Sequence, residues 1–409
     1  MRTKHKLIIG IILLAIVVPT NILIMADKEY PKQFMTSYGP VIVFKPLPDP
    51  FLMENGTRVS TLGEWNVRRE EIKDLILDIE YGTMPGIPEQ TIVNINSTNN
   101  VTASTYSGTY NETKLYFTFI PNASQPSQNF SMNVSMYLPN PTSTSYPVVL
   151  RVGPWFIQEY EIVIERGYAF VSYEYEDLDP DPKDGQDVVG SAQVAYPSHT
   201  WGSLAVWAWG AMRVVDYLYM HPSINESQIL VTGHSRAGKV ALLAGALDER
   251  IEISVPNGAG TGGSGSYIVQ GPNCETMHTM LREDVFSFWY NPAFRNYIGK
   301  EHLLPFDQHF LRALIVPRCV LDTDAFGDNW ANPVGTQAMY QAAQPVFDFL
   351  GASNNNSIHF REGQHDQLNE DFLALLDYAD LKFFNISTSR SFDQLPFPEF
   401  PIQYSWTAP

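Results

Sequence analysis

The stretch VTGHSRAGKVALLAGALDERI, residues 231–251, decides the fold. An apolar run ends at Gly233, Ser235 follows, and an alanine-rich helical segment begins at Arg236. A buried strand, a sharp turn and a helix, in that order, are the setting in which a serine is exposed as a nucleophile. Small residues at 233 and 237 leave room for such a turn. The other interpretation is that Ser235 only caps the helix.

The rest of the chain extends this unit into an α/β pattern. Continuous apolar strands joined by helices are typical of a mostly parallel sheet covered by helices on both faces. Between residues 90 and 150, short alternating runs predict antiparallel strands instead. We therefore predict an α/β-hydrolase fold with a mostly parallel central sheet. The other strands are expected at 146–153, 168–173, 228–233, 313–321 and 357–361, and helices at 65–82, 204–220 and 338–351.

Length and composition fit one large domain. The 409 residues, 44% of them hydrophobic, can bury a large core, and no internal repeat or low-complexity linker divides the chain. We predict a single catalytic domain over residues 61–390. An N-terminal extension at 27–60 precedes it, and a C-terminal tail at 391–409 is expected to pack on it.

The first 26 residues have the pattern of an export segment. Three basic residues precede an apolar run from Leu7 to Val18, and the sequence IMA, which ends at Ala26, fits a signal-peptidase site. Apolar character resumes at 22–25, so the segment could also reach the roughly 20 residues of a membrane-spanning helix. We expect a protein that is either secreted or anchored at the outside of a membrane.

Sequons and cysteines bear on the same compartment. Ten N-x-S/T triplets fit a glycoprotein, although a chain rich in Asn, Ser and Thr also forms them by chance. They begin at Asn55, Asn96, Asn100, Asn111, Asn122, Asn129, Asn133, Asn225, Asn355 and Asn385. Cys274 and Cys319 are the two cysteines, and Cys319 has the setting of a buried strand residue. Two unpaired thiols are therefore favoured over a disulfide.

Charge narrows the range of partners. The formal net charge of −18 would repel nucleic-acid phosphates, and no lysine- or arginine-rich block follows the N-terminus. We expect no nucleic-acid partner, and a monomer. The acidic stretch 173–187 lacks the spacing of a calcium-binding loop, so a solvated loop is predicted there. No metal or organic cofactor is expected.

A nucleophilic serine needs a histidine base, and the base needs an orienting carboxylate. In an α/β-hydrolase the acid and then the histidine follow the serine, each on a loop after a strand. Among nine histidines, His365 fits best because it follows the strand predicted at 357–361. The preceding strand is followed by Asp322, Asp324 and Asp328. Asp328 is preferred because it lies in the loop proper.

Two basic residues accompany the serine. The backbone N–H of Arg236 is one donor for an oxyanion, and its guanidinium can be another because the loop at 151–160 lacks consecutive glycines. A surface ion pair is the alternative role for this arginine. Lys239, one helical turn beyond Ser235, can bind an anionic or hydroxyl-rich substrate group, and an exposed helix lysine fits almost as well.

At these residues the chain resembles the glucuronoyl esterase family of carbohydrate esterases, also called 4-O-methyl-glucuronoyl methylesterases. The stretch at 231–251 is similar to the family's G-[CH]-S-R-x-G-K signature, and the resemblance covers most of the chain. Further similar stretches follow in the family's order. They are WGAMRVVDYL (209–218), LPFDQHFLRALIVPR (304–318), GDNWANPVGT (327–336) and GQHDQLNEDF (363–372).

The resemblance implies roles for the matching positions. Ser235 matches the nucleophile, His365 the base, and Arg236 the arginine that stabilises the oxyanion. Lys239 matches a lysine that binds the hydroxyls of the uronate. Further substrate contacts implied by the resemblance are Glu275, Trp289 and Trp330.

The acid is the point at which this sequence departs from part of the family. Fungal members carry it in a P-Q-E-S-G stretch, whereas the equivalent here is PNGAGTGG, with Gly258 in place of the glutamate. Asp328 matches the position that bacterial members use. The loop at 260–269 also lacks the arginine that usually follows the double glycine.

These expectations describe a serine carbohydrate esterase that hydrolyses esters of (4-O-methyl-)glucuronic acid, such as lignin–xylan linkages, through an acyl-enzyme. Its partner would be a carbohydrate uronate ester. The sequence leaves two alternatives open. One is an acetyl-type carbohydrate esterase on the same fold, and the other is a non-catalytic surface protein that binds glycans.

Overall fold

A computed structural model of the protein describes residues 41–140, 145–153, 157–182, 188–282, 285–397, 404 and 406–409. The segment at 1–26, predicted to be a leader or an anchor, lies outside the described residues. Among the helices that are described, none combines the length and apolar character needed to cross a membrane.

A nine-stranded sheet forms the centre of the fold. The strands in the described residues are β1 (Ile42–Val43), β2 (Gln90–Thr102), β3 (Thr109–Ile120), β4 (Phe130–Pro139), β5 (Tyr146–Val152), β6 (Ala169–Tyr173), β7 (Ile224–His234), β8 (Ile253–Asn257), β9 (Val269–Gln270), β10 (Cys319–Ala325) and β11 (Asn356–Arg361). The main sheet has the order β11-β10-β8-β7-β5-β6-β4-β3-β2, and β1 pairs separately with β9. The six strands from β11 to β6 are parallel, and β4, β3 and β2 continue the sheet in antiparallel pairs.

Helices cover both faces of this sheet. Those in the described residues are α1 (Leu62–Ile76), α2 (Ile157–Glu165), α3 (Ser191–Ala195), α4 (Ser203–Met220), α5 (Arg236–Leu247), α6 (Met277–Met280), α7 (Gln308–Ala313), α8 (Pro333–Phe349) and α9 (Asn369–Phe384). Helices α2 and α9 contribute to one hydrophobic cluster, and α4, α5 and α8 contribute to the larger one on the other face. The predicted α/β-hydrolase architecture is confirmed.

The parallel strands appear in the sequence as continuous apolar runs because both of their faces are buried. All seven residues of β5 are buried. Val148 and Leu150 pack into the larger cluster, whereas Val149 between them packs into the other. Burial of each such side chain stabilises the fold by about 1.5–3 kcal/mol. The alternation fixes the register of the strand.

The strand predicted at 313–321 is wrong at its start. Strand β10 begins at Cys319, and the residues before it belong to α7 and to the turns that follow that helix. The N–H groups of Leu314 and Ile315 donate to the carbonyls of Leu311 and Arg312, which extends the helical turns. The apolar side chains in these turns are as buried as those of a strand, so the hydrophobic pattern does not separate the two structures.

Both ends of the described chain pack into the core of the domain. Phe51 from the extension and Trp406 from the tail belong to the larger hydrophobic cluster. Cys274 and Cys319 are both buried and unpaired, in agreement with the preference for free thiols. All ten sequon asparagines are exposed or half-buried, and two of them lie on the edge strand β2.

The sheet order determines where a site can form. Strands β7, β8, β10 and β11 are neighbours and run in the same direction, so their carboxyl ends meet at one edge of the sheet. Ser235 follows β7, and the loops that contain Asp328 and His365 follow β10 and β11. Three residues that are far apart in the chain are thereby brought to one place.

Candidate active site

Ser235 occupies a strained turn between β7 and α5. Its backbone has φ 58° and ψ −122°, a conformation that residues other than glycine rarely adopt. The turn is held on both sides, because Ser235 N–H donates to the Asn257 carbonyl at 2.9 Å and the Lys239 N–H donates to the Ser235 carbonyl at 3.0 Å. The half-buried serine side chain is thereby held at the end of the strand.

The serine does not serve as a helix cap. Ser235 precedes the first residue of α5, but its side chain makes no capping hydrogen bond. Its Oγ lies instead 2.9 Å from Nε2 of His365. Of the two interpretations of this serine, the structure has the arrangement in which the hydroxyl faces a base.

The carboxylate of Asp328 completes a Ser–His–Asp arrangement. Its Oδ2 lies 2.6 Å from Nδ1 of His365, and its Oδ1 accepts the N–H of Ala331 at 3.1 Å. The side chain of Asp328 is 3% exposed, whereas that of His365 is 32% exposed. The loops are also joined to each other, since Gly327 N–H donates to the Gly363 carbonyl at 3.0 Å. The imidazole is therefore held from one side and accessible from the other.

The two other aspartates considered as the acid point elsewhere. Asp322 lies within β10, where it is fully buried and bonds to Ser264 and Arg312. Asp324 is also a buried β10 residue, and the described residues give it no hydrogen bond to His365. Only the aspartate in the loop proper reaches the imidazole.

Arg236 is held beside the serine by an aromatic and carboxylate cage. Its Nη1 donates to Oδ2 of Asp181, and its guanidinium lies over the rings of Trp289 and Phe286, at 4.9 and 5.5 Å from their centroids. Trp289 Nε1 donates to the other oxygen of Asp181 at 3.2 Å. The ion pair given as the alternative role of this arginine is therefore present, but its carboxylate is buried, since the side chain of Asp181 is 3% exposed and that of Arg236 is 33% exposed.

Lys239 and Glu275 meet in the interior. Lys239 Nζ donates to Glu275 Oε2 at 2.7 Å and to the carbonyls of Ala259 and Thr261 at 2.8 and 2.6 Å. Burial lowers the pKa of Lys239, and the carboxylate of Glu275 opposes that shift. The alternative of an exposed helix lysine is wrong. In this structure all three ammonium hydrogens are directed at protein oxygens, and they fix the glycine-rich loop after β8.

The two tryptophans differ in accessibility. Trp330 is 42% exposed and lies two residues after Asp328, where its ring can meet a ligand. Trp289 is 2% exposed and stacks on Phe286, with ring centroids 4.1 Å apart and planes at 8°. Trp289 also lies under the guanidinium of Arg236 and donates to Asp181, so it supports the arginine from within the fold.

Gly258, where fungal members of the family carry the acid, lies next to Asp328 in space. Its φ is +50°, and a Cβ built there would lie 3.5 Å from Asp328 Oδ2 and 3.3 Å from Cε1 of His234. A Cβ there would be in tight contact with His234 and in ordinary van der Waals contact with Asp328.

The acidic stretch at 173–187, of which residues 183–187 lie outside the described part of the chain, differs from the predicted solvated loop at two aspartates. Asp179 and Asp181 are buried, and Asp181 is the residue that holds Arg236. The number of carboxylates in a stretch predicts little about its structure, because composition does not show which of them is buried. Within the described part of the chain, no group of three or more acidic, His or Cys residues is arranged to hold a metal ion.

Comparison with known proteins gives one consistent relationship. The family model for fungal glucuronyl esterase matches residues 122–351. The chain is 30% identical over 318 residues to the 4-O-methyl-glucuronoyl methylesterase of Hypocrea jecorina, and 29% identical over 319 residues to the 4-O-methyl-glucuronoyl methylesterase 1 of Phanerochaete chrysosporium. Each match covers 76% of this chain and 63% of the relative, so the chain spans less than two thirds of the length of these curated relatives.

A solved structure extends the likeness to the whole fold. It is that of a carbohydrate esterase family 15 glucuronoyl esterase from Caldicellulosiruptor kristjansonii, which is 29% identical and superposes with a TM-score of 0.75. The match covers 89% of this chain and 97% of the other.

Proposed function

The chain belongs to the glucuronoyl esterase family, and on that premise we propose that it is a serine carbohydrate esterase which hydrolyses esters of (4-O-methyl-)glucuronic acid. We propose both the ester-hydrolysing activity and this class of substrate. Its catalytic residues are Ser235, His365 and Asp328.

One geometric observation carries the proposal. Ser235 Oγ, His365 and Asp328 form a continuous hydrogen-bonded relay of 2.9 and 2.6 Å, and the serine stands on a strained strand-to-helix turn. Strain of this kind persists only where the surrounding structure enforces it. A binding protein needs none of these features, and the relay therefore favours an enzyme over a glycan-binding module.

The reaction proceeds through an acyl-enzyme. His365 Nε2 takes the proton of the Ser235 hydroxyl as its oxygen attacks the ester carbonyl, and Asp328 stabilises the imidazolium that forms. The C–O bond to the alcohol then breaks, and His365 returns the proton to the leaving oxygen. Water repeats the sequence to release the uronic acid and free the serine.

The negative charge of the tetrahedral intermediate forms next to Arg236. The backbone N–H of Arg236, at the start of α5, is one donor for the oxyanion, and its guanidinium is the second. Asp181 and the ring of Trp289 limit the positions that the guanidinium can take. Preorganised donors are worth more than mobile ones because they need no reorientation during the reaction.

Substrate recognition is assigned to the surroundings of this centre. Trp330 offers an exposed ring to the sugar, and Lys239 with Glu275 holds the loop after β8, which lies beside Asp328 at Gly258. We place the enzyme outside the cell, because exposed sequons and the basic–apolar N-terminal pattern both fit export. The partner is a polysaccharide-linked uronate ester, and the working form is a monomer.

The test compares two esters on the same protein. Purified residues 27–409 and the Ser235→Ala variant are assayed with benzyl glucuronate and with an acetylated xyloside. We expect a higher kcat/KM for the uronate ester and loss of hydrolysis in the variant. Preference for the acetylated sugar would assign an acetyl esterase, and tight sugar binding without turnover of either ester would assign a glycan-binding protein.

A further inference from the structure

His234 lies directly against the histidine of the proposed triad. It is the last residue of β7, and its ring centroid is 4.6 Å from that of His365, with the ring planes inclined by 46°. It also directly precedes Ser235, so one turn of the chain carries both residues. The reaction described above makes no use of this second imidazole.

Asn257 determines which nitrogen of His234 carries a hydrogen. The Asn257 Nδ2 donates to the carbonyl and the hydroxyl of Thr323, at 2.9 and 3.0 Å, so its amide oxygen is the atom that faces His234 Nδ1, at 2.7 Å. An amide oxygen can only accept, and Nδ1 is therefore protonated. In the neutral ring, Nε2 is then left with its lone pair.

The environment of His234 keeps this ring neutral. Burial first, and then the nearby His365, lower the pKa of His234, which lies at about 4. Arg151 acts in the same direction, whereas the hydrogen bond with Asn257 and the charge of Asp328 act against it. At neutral pH the His234 ring is therefore uncharged. A second cation at this distance would disfavour the imidazolium that the reaction needs.

Neighbouring residues leave the ring of His234 little room to move. A Cβ on Gly258 would lie 3.3 and 3.4 Å from two atoms of that ring, so the backbone there packs closely against it. The same glycine packs against Asp328. His234 and Asp328 thus contact His365 from two sides, and Gly258 lies next to both.

We propose that His234 is a positioning residue, which holds the His365 ring in line with the Ser235 hydroxyl and does so without carrying a charge. The inference rests on the proposed function only through the Ser–His pair. It does not depend on which ester the enzyme cleaves.

The experiment measures how fast a fluorophosphonate labels Ser235, a reaction that needs the Ser–His pair and no sugar pocket. His234→Ala removes the ring, and His234→Phe keeps a flat, uncharged ring in its place. His302→Ala is the matched control because that side chain is exposed. Circular dichroism selects the folded variants, and each rate is followed from about pH 5 to 9.

We expect His234→Ala to label about 10-fold to 100-fold more slowly, as misplacement of a base predicts, and His234→Phe to recover most of that loss. As the pH is lowered, the labelling rate should fall with the titration of a single group, both in the wild-type protein and in His234→Phe. Labelling of His234→Ala within about twofold of the wild-type rate would overturn the proposal. It would also be overturned if the acid side of the profile showed two titrating groups in the wild-type protein and only one in His234→Phe.

Two outcomes separate this inference from the proposed function. If His234→Ala does not fold, His234→Phe still tests the proposal through its labelling rate and its pH profile. A His234→Phe variant that labels Ser235 about 10-fold to 100-fold more slowly than the wild-type protein would refute the role of the ring. A wild-type protein that labels at Ser235 but leaves uronate esters intact would refute the proposed substrate. The comparison of His234 variants would then stand unchanged.

Discussion

At the scale of single residues, Gly233 shows what the turn at Ser235 requires of its neighbours. A Cβ at this position would lie 2.3 Å from the carbonyl oxygen of Ala237 and 2.5 Å from its carbonyl carbon. Both are backbone atoms, so no side-chain rotation can relieve the clash. The serine can keep its strained conformation only because residue 233 lacks a side chain.

Replacement of this glycine should therefore damage both stability and function. We expect Gly233→Ala to lower the free energy of unfolding by about 1–3 kcal/mol, as overpacking does, and to lower kcat/KM as the serine moves. Denaturant unfolding and ester hydrolysis measure the two effects. The matched control is Gly86→Ala, where an added Cβ would meet nothing within 4 Å. Equal effects in the two variants would contradict the role of the turn.

Replacement of Asp328 by asparagine should have a large effect on kcat and a small effect on the structure. Asp328→Asn keeps the shape of the side chain but loses the charge that stabilises the imidazolium, so we expect kcat to fall by about 10³-fold to 10⁴-fold. KM should change little. Steady-state kinetics on a uronate ester provide the measurement. The control is Asp366→Asn, an exposed neighbour of His365, which should leave kcat unchanged.

If Asp328→Asn kept the wild-type kcat, the acid of the triad would have to be another residue. Gly258 could not supply it, because it carries no side chain. The buried carboxylates of β10 would then be the next to examine.

Residues whose position follows from the strand that precedes them could be predicted, and those that enter the site only through side-chain contacts across the fold could not. Ser235 was identified from its own strand and helix, and His365 and Asp328 from the loops that follow strands. Asp181 reaches Arg236 from 55 positions away in the chain. Asn257 reaches His234 only because β7 and β8 are neighbours in this register. No local pattern distinguishes either residue from its polar neighbours.

At the scale of elements, the first helix ends in a way that a helical pattern does not reveal. Helix α1 continues into a π-helical turn, Leu77–Tyr81, which buries the carboxylate of Glu80 completely. Tyr267 Oη donates to this carboxylate at 2.7 Å, and Gln308 Nε2 donates to its two oxygens at 2.9 and 3.1 Å. Burial raises the pKa of Glu80 to about 8, and these donors oppose the shift.

This carboxyl group should make stability depend on pH. Its pKa is raised above the ordinary value of 4.5, so the folded state binds the proton more tightly than the unfolded state. The stabilisation is fully present below about pH 4.5 and is lost as the pH rises through about 8. We expect the free energy of unfolding to fall by a few kcal/mol over that range, since one pKa unit corresponds to about 1.4 kcal/mol.

Glu80→Gln tests this by removing the titration. Denaturant unfolding at several pH values should give a flatter stability profile for the variant than for the wild-type protein. Glu89→Gln is the control because that side chain is exposed. Parallel profiles for Glu80→Gln and the wild-type protein would show that Glu80 is already ionised in the fold.

The elements themselves were predictable to different degrees. The antiparallel strands β2 to β4, the strands β5 to β7 and the helices α4 and α8 follow the periodicity of their sequences closely, and α1 does so up to its π-helical end. The start of β10 does not, because the buried residues that precede it are as apolar as the strand. Periodicity reports burial, and it fails where two kinds of buried structure follow each other.

At the scale of the whole molecule, the two ends of the described chain close the same core. Trp406 in the tail is 5% exposed, and its ring stacks on that of His309 with centroids 5.6 Å apart. The His309 Nε2 lies 2.9 Å from the carbonyl of Pro48, in the extension. Extension, domain and tail are thus in direct contact. The described part of the predicted tail thus contacts the domain at Trp406, and residues 398–403 and 405 lie outside the described residues.

Loss of the tail contact should therefore cost stability rather than catalysis. We expect Trp406→Ala to lower the free energy of unfolding by about 3–5 kcal/mol, the usual effect of removing a buried tryptophan. The folded fraction should keep the wild-type kcat, since the stack makes no contact with Ser235. Unfolding curves and kinetics at low temperature measure both. Leu303→Ala, at a side chain that is 58% exposed, is the control.

The fold class was predictable from the whole sequence because an apolar strand pattern with intervening helices allows few architectures. The separate pairing of β1 with β9 was not, since each strand has only two residues. The packing of the tail against the extension depends on contacts between opposite ends of the chain. Such contacts leave no periodic signal.

The central claim is that the fold turns one serine into a nucleophile, and covalent trapping tests it most directly. Folded wild-type protein is treated with a fluorophosphonate, digested, and mapped by mass spectrometry. We expect one adduct, on Ser235, which does not form when the protein is denatured before the treatment or when His365 is replaced in His365→Ala. An unlabelled folded protein, or an adduct at another residue, would contradict it.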